Sequence, residues 1–180
     1  MTPSELPIVI SRDVLAAVYA HAIAAFPDEC CGYLVGAATG AVDAAVACRN
    51  AQADGHHPIA PARGADTGFV IAGRELFALA RSFDTDRPAR IIYHSHTSGR
   101  AYFSAVDRAM AAGPAGPAYP VQHLVVGVVP TRFPRANESR GPHPATDPSP
   151  SVMEVAQFAW SDATGDFVEI ARWDVPGAGA

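Results

Sequence analysis

Lysine is missing from this chain: all 13 basic residues among its 180 are arginine. Schiff-base chemistry on a lysine and the lysine of a P-loop are thereby excluded. Basic tracts are missing too, and arginines are not interleaved with aromatics. With a formal charge of −5, the chain lacks the electrostatic footprint of a nucleic-acid binder. Apolar runs are short and broken by Gly, Pro or charge, and none reaches the roughly 20 residues that span a bilayer. Met1 to Ile10 has no basic start followed by an apolar core. A cytoplasmic protein with neither nucleic-acid nor membrane partner is expected. Cysteine is scarce as well: Cys30, Cys31 and Cys48 are odd in number, and the first two are adjacent. No disulfide framework is indicated, and all three read as small buried hydrophobes.

What is present is a globular composition, 49% hydrophobic and 17% charged, in a length that fits one domain over residues 1–180. Ser11 can cap a helix over about 12–26, in which Val14, Leu15, Val18, Ala22 and Phe26 recur at helical spacing before Pro27. His21 lies at the edge of that stripe with no partner at ligand spacing and is given no role. Cys30 to Gly36 and Ala41 to Cys48 read as a hairpin, with the first strand beginning directly after Glu29. Leu76, Leu79, Ala80 and Phe83 mark a second amphipathic helix. Ala89 to Ser95 is a buried-strand pattern, Ser104 to Ala112 a short helix closed by Gly113-Pro114, and Val121 to Val129 a further strand. Val152 to Trp160 and Phe167 to Trp173 flank a turn as a hairpin. Two polar stretches interrupt this order, Arg49 to Gly68 and Pro130 to Pro150, the second holding six prolines; both read as long surface excursions. Strands interleaved with helices predict an α/β fold, a mixed sheet flanked by helices.

Chemistry concentrates after the Ala89–Ser95 strand. His94 and His96 stand two apart at its carboxyl end, so their side chains share one face and can converge on an ion. Two histidines at a strand end also occur without metal. Asp107 follows one turn into the next helix and can point back toward that strand end. Ser104-Ala105-Val106-Asp107 is also a capping-box pattern, which alone would explain both Ser104 and Asp107. Two histidines and one carboxylate leave one of zinc's four tetrahedral positions for water, the requirement of a catalytic site. Zinc lowers the pKa of such a water to about 7, and amide hydrolysis further needs a group that takes and returns a proton. Glu29 is a candidate if the strand that follows it runs beside the strand carrying the histidines, which spacing alone does not establish. His123, inside an apolar strand, reads as a satisfied core histidine; as a fourth ligand it would close the open position.

His94-Ser95-His96, the seven residues Thr97 to Phe103, then Ser104-Ala105-Val106-Asp107, with a distant Glu29 in PDECCGYLVG, resemble the JAMM or MPN-plus metalloprotease motif of small prokaryotic members. That resemblance extends over nearly the whole chain in element order. It implies zinc on His94, His96 and Asp107, Glu29 as general base and then acid, and Ser104 stabilising the oxyanion. A fold similar to that of cytidine deaminases is implied too. Many members carry Pro after the second His, where this chain has Thr97; a less rigid loop with the metal retained is expected. The resemblance further implies a substrate that ends in Gly-Gly, a ubiquitin-like or sulfur-carrier protein, from which a C-terminal extension or a conjugated protein is removed. His56-His57, or Arg132, Arg135 and Arg140, are residues of the two excursions that could touch such a partner.

Two rival classes are distinguishable. A base deaminase would carry a His-x-Glu and a Pro-Cys-x-x-Cys signature, and neither is present. A non-catalytic MPN-type module that only binds ubiquitin-like proteins would not need the retained motif residues.

Overall fold

In the computed structural model, residues 5–55, 58–130 and 150–176 are described. Helix α1 (Arg12–Ala25) starts where Ser11 Oγ accepts the Val14 N–H at 3.3 Å, and it buries Val14, Val18 and Ala22 at i, i+4 and i+8. Strands β1 (Cys31–Val35) and β2 (Ala44–Cys48) form the expected hairpin, with β2 beginning later than the sequence pattern suggests. Val42 makes only an isolated bridge to Ile10. Helix α2 (Gly73–Ser82) and strand β3 (Ala89–His96) follow. Helix α3 (Ala105–Ala111) ends one residue early, because Ala112 turns out of the helix into a two-residue ladder of β4 (Ala112–Gly113) with β5 (Gly116–Pro117). Strands β6 (Gln122–Pro130), β7 (Pro150–Ser161) and β8 (Asp166–Asp174) complete the order.

The main sheet has six strands in the order β2-β1-β3-β6-β7-β8. Only β3 and β6 run parallel, and their crossover contains α3. The sheet has two unlike faces because side chains alternate along each strand. One face, with Leu34, Ile91, Tyr93, Leu124, Val126 and Val155, is packed by α1. The other carries Cys31, Tyr33 and Ile92 beside Leu79 of α2, and Val125 and Phe158 beside Phe103. Gly32 is required where β1 passes β3: a Cβ there would overlap Val46 O and lie 2.6 Å from Cζ of Tyr93. Tyr93 Oη in turn meets His21 Nδ1 at 2.9 Å, so His21 is a structural partner on the α1 face.

The stretch expected as a plain loop over 49–68 contains a 3-10 turn, Ala51–Asp54, capped by Asn50. The second excursion has become shorter at both ends, since β6 reaches Pro130 and β7 starts at Pro150. His56, His57, Arg132, Arg135 and Arg140 lie outside the described residues. Cys30, Cys31 and Cys48 are free and buried, as expected. Burial pushes the Cys30 and Cys48 thiols up to about 11, which leaves both protonated at neutral pH. Among the described residues, no helix is long and apolar enough to cross a membrane.

Candidate metal centre

Strand β3 ends with His94 and His96 on the α2 side of the sheet, and α3 brings Asp107 back over them. His94 Nε2 and His96 Nε2 are 3.2 Å apart, and each lies 3.5 Å from Asp107 Oδ2. Tetrahedral ligands at zinc-like bond lengths are separated by roughly 3.3 Å. The three side chains are buried and form a group that could hold a metal ion. Their spacing and chemistry fit one. Burial holds the His94 imidazole below its ordinary pKa, leaving a neutral ring with a lone pair to offer. Burial works the other way on Asp107, but the His94 and His96 rings and Ser104 outweigh it and hold its carboxyl well below the usual range.

The capping box and the candidate ligand set share Asp107. Ser104 Oγ accepts the Asp107 N–H at 3.1 Å, and Asp107 Oδ2 accepts the Ser104 N–H at 2.7 Å. The box therefore fixes the carboxylate while leaving it aimed at both imidazoles. A hydroxyl that accepts one bond keeps its own O–H to donate, and that of Ser104 lies beside the triad, where it helps hold the Asp107 carboxyl down.

Glu29 lies two residues before β1, which does run beside β3. Cys31 pairs with His94, and the ladder continues past β1: Ser95 donates its N–H to Cys30 O at 3.1 Å, and Ser95 Oγ accepts the Cys30 N–H at 2.8 Å. Glu29 is thus brought level with His96, and it is only 6% exposed. Burial first, then the charges of Asp107 and Asp66, raise its pKa from 4.5 to about 8, against an opposing pull from Arg63. Its backbone is held on both sides, N–H to Ala65 O at 2.8 Å and carbonyl accepting from Asn50 Nδ2 at 3.0 Å. Asn50 also donates to Gly68 O and accepts from Gln52 and Val70, so it knits the 49–68 segment against Glu29.

The loop between His96 and Ser104 is tied down without a proline. Thr97 Oγ1 donates to Asp66 O at 3.0 Å, joining this loop to the Glu29 side of the site. Ala101 is clamped by an ion pair: its N–H donates to Glu154 Oε2 at 2.7 Å, its carbonyl accepts from Arg172 Nη2 at 2.8 Å, and Arg172 Nη1 meets Glu154 Oε1 at 2.7 Å. Gly127 on β6 lets the loop lie flat on the sheet, since a Cβ there would run into Gly99 O. Phe69 stacks on His94 with ring centroids 4.4 Å apart, and Tyr102 covers His96 at 4.5 Å.

His123 departs from the sequence expectation. It is buried on β6, but Nδ1 finds no hydrogen-bond partner among the described residues, so it is not a satisfied core histidine. Burial, then proximity to His94, lowers its pKa to about 3 and keeps the ring neutral. Sequence reasoning did not find Asn50, Ser95, Glu154 or Arg172. The one local sign was Asn50 itself, a capping residue type at a strand end just before the Ala51–Asp54 turn.

A mixed sheet with a two-histidine, one-carboxylate group at a strand end, its carboxylate set in the cap of the following helix, is an arrangement that suits a JAB-type domain. Residues 11–138 match the family model described as prokaryotic homologs of the JAB domain, and the chain belongs to that family. It is 31% identical over 134 residues to the CysO-cysteine peptidase of Mycobacterium tuberculosis, covering 74% of this chain and 80% of that one. The Mycobacterium bovis protein of the same name matches equally. Among solved structures, protein DSY2949 from Desulfitobacterium hafniense shares the fold at a TM-score of 0.52 and 19% identity, over 91% of this chain and 89% of that one.

Proposed function

We propose that this chain is a cytoplasmic zinc-dependent peptidase or isopeptidase, a single domain with insertions near 49–68 and 130–150. It cleaves after the C-terminal Gly-Gly of a sulfur-carrier or other ubiquitin-like protein. The observation that carries this reading is convergence: β1, β3 and α3 bring Glu29, His94, His96 and Asp107 to one end of one sheet face.

A zinc ion held by His94, His96 and Asp107 supplies Lewis-acid polarisation and an acidified water. The chain's own residues do the rest. Glu29, buried beside the ligand set and kept ionised by a bound dication, takes the proton from the attacking water and returns it to the departing amine. Ser104 donates its hydroxyl to the oxygen on which negative charge develops. Phe69 and Tyr102, packed on the two imidazoles, keep the ligand set dry. The relative named CysO-cysteine peptidase supports a carrier protein whose tail is released from a single attached residue.

The test uses a sulfur-carrier protein extended beyond its Gly-Gly, with cleavage followed by mass spectrometry and zinc by elemental analysis. The expected result is about one zinc per chain and cleavage directly after Gly-Gly. Glu29→Gln should keep the zinc and lose at least about a hundredfold in rate. A chain that binds carriers but holds no zinc, and cleaves none of them with zinc added, would be the non-catalytic binding module.

A further inference from the structure

A groove of about 420 Å3 adjoins the triad and is unused by the chemistry above. Its walls are Phe69 and Ile71 from the segment before α2, Leu76 and Leu79 of α2, and Met110 of α3. Asp107 sits at its edge, which places the groove directly beside the metal ligands. His123 also lines it. The register Ile92 opposite His123, with His94 opposite Val125, puts this imidazole on the metal face, one strand over from the ligands.

Two observations and one comparison set His123 apart from packing. The side chain is 5% exposed, yet Nδ1 has no partner among the described residues. Its ring is wedged between Phe103 and Phe167 at centroid distances of 4.8 and 4.9 Å, so the rotamer is fixed by aromatic neighbours. Those neighbours offer no hydrogen bond, and a leucine would fill the same space without leaving a polar atom unpaired. Nδ1 is closed off from the groove, so an occupant would bond to the other ring nitrogen, and an imidazole kept among aromatic walls at the groove's edge is explained by such a bond.

We propose that this groove is a side-chain pocket for the substrate and that His123 is a specificity-determining residue reading the tip of the occupant. The inference rests on the peptidase reading for what enters, but not on turnover. The occupant is one large, mainly apolar side chain that ends in a hydrogen-bonding group, a tyrosine being the best fit. The apolar walls accept its ring, the volume accommodates a bulky residue together with its backbone, and a neutral imidazole can donate to or accept from its hydroxyl. Such a residue could stand upstream of the Gly-Gly or be the residue released. Both present the same chemistry to the pocket.

The experiment uses two series of Gly-Gly tail peptides, one varied upstream of Gly-Gly and one varied in the released residue, each with Tyr, Phe or Ala. Cleavage is measured on the wild-type zinc protein, and binding by calorimetry on zinc-loaded Glu29→Gln. In one series Tyr should exceed Phe by about tenfold, and Phe should exceed Ala. His123→Leu in either background should bring the Tyr-to-Phe ratio to about one, whereas His123→Gln, which keeps a polar tip, should retain part of it. Imidazole nitrogen resonances of His123 should shift with Tyr peptides and not with Phe peptides. Equal binding of Tyr and Phe in both series, or a ratio that His123→Leu leaves intact, overturns the proposal. Selective binding without any cleavage would instead keep the pocket and remove the peptidase.

Discussion

Ser95 and Cys30 hold each other through two hydrogen bonds: the Cys30 N–H donates to Ser95 Oγ, and the Ser95 N–H donates to Cys30 O. One residue stands between the two histidines and the other directly follows Glu29. The segment that carries Glu29 is thus pinned to the strand that carries His94 and His96. Ser95→Ala removes the side-chain bond and leaves a buried N–H unpaired, at a cost of about 1–3 kcal/mol. Zinc content should be unchanged, while kcat falls about tenfold with little change in KM. A kcat equal to wild type would show that Glu29 needs no such anchor.

Glu29 sets a pH signature in the metal-free protein. Its pKa is about 8 in the fold against an ordinary 4.5, so between those values the folded state keeps a proton that the unfolded chain releases. Stability of the metal-free protein therefore falls as pH rises through that window, by an amount on the order of a few kcal/mol. Glu29→Gln should flatten the profile and raise Tm at pH 7, measured calorimetrically after chelation. A bound dication opposes the effect by favouring the ionised carboxylate.

The clamp on Ala101 predicts a different pH sense. Ala101 N–H, and then Arg172, hold the Glu154 carboxyl below its ordinary range. The contribution is present above the unfolded pKa and is lost as pH falls through the folded one. Arg172→Ala should strip the partner from the buried Ala101 carbonyl, cost about 1 kcal/mol, and lower kcat by loosening the approach to Ser104. Glu154→Gln retains an acceptor for the Ala101 N–H and should be milder. Hydrogen exchange at Ala101 provides the check: unchanged protection in Arg172→Ala would dismiss the clamp.

Metal removal should register as stability. A zinc ion held between β3 and α3 would bind the folded chain and not the unfolded one, so chelation should lower Tm by several degrees or more. His96→Ala should have the chelated Tm with or without added zinc. A variant that still responds to zinc would place the ion elsewhere.

Much of this was legible in the sequence because it is local. His-x-His at a strand end and Ser-x-x-Asp at a helix start are short patterns whose geometry follows from the strand and helix periods, and Asp107 belongs both to the capping box and to the group that could hold a metal. Glu29 depended on pairing of β1 with β3, a long-range contact that no spacing encodes. Asn50 and the Glu154–Arg172 pair were invisible for the same reason: their partners are backbone atoms distant in sequence. His123 was read by its apolar neighbours along the strand, which predict burial correctly and say nothing of whether its nitrogens are paired.

All three candidate ligands fall within one strand-loop-helix crossover, whereas Glu29 is delivered by another hairpin and steadied by the 49–68 segment. Metal capture there would close only a short loop and cost little chain entropy, while the placing of Glu29 depends on long-range assembly. Damage to the Asn50 network should accordingly produce a protein that is still loaded and folded around its ion but has lost its timing between water and leaving amine. In a lineage, the same separation lets catalysis fade while the ion stays on as a structural staple.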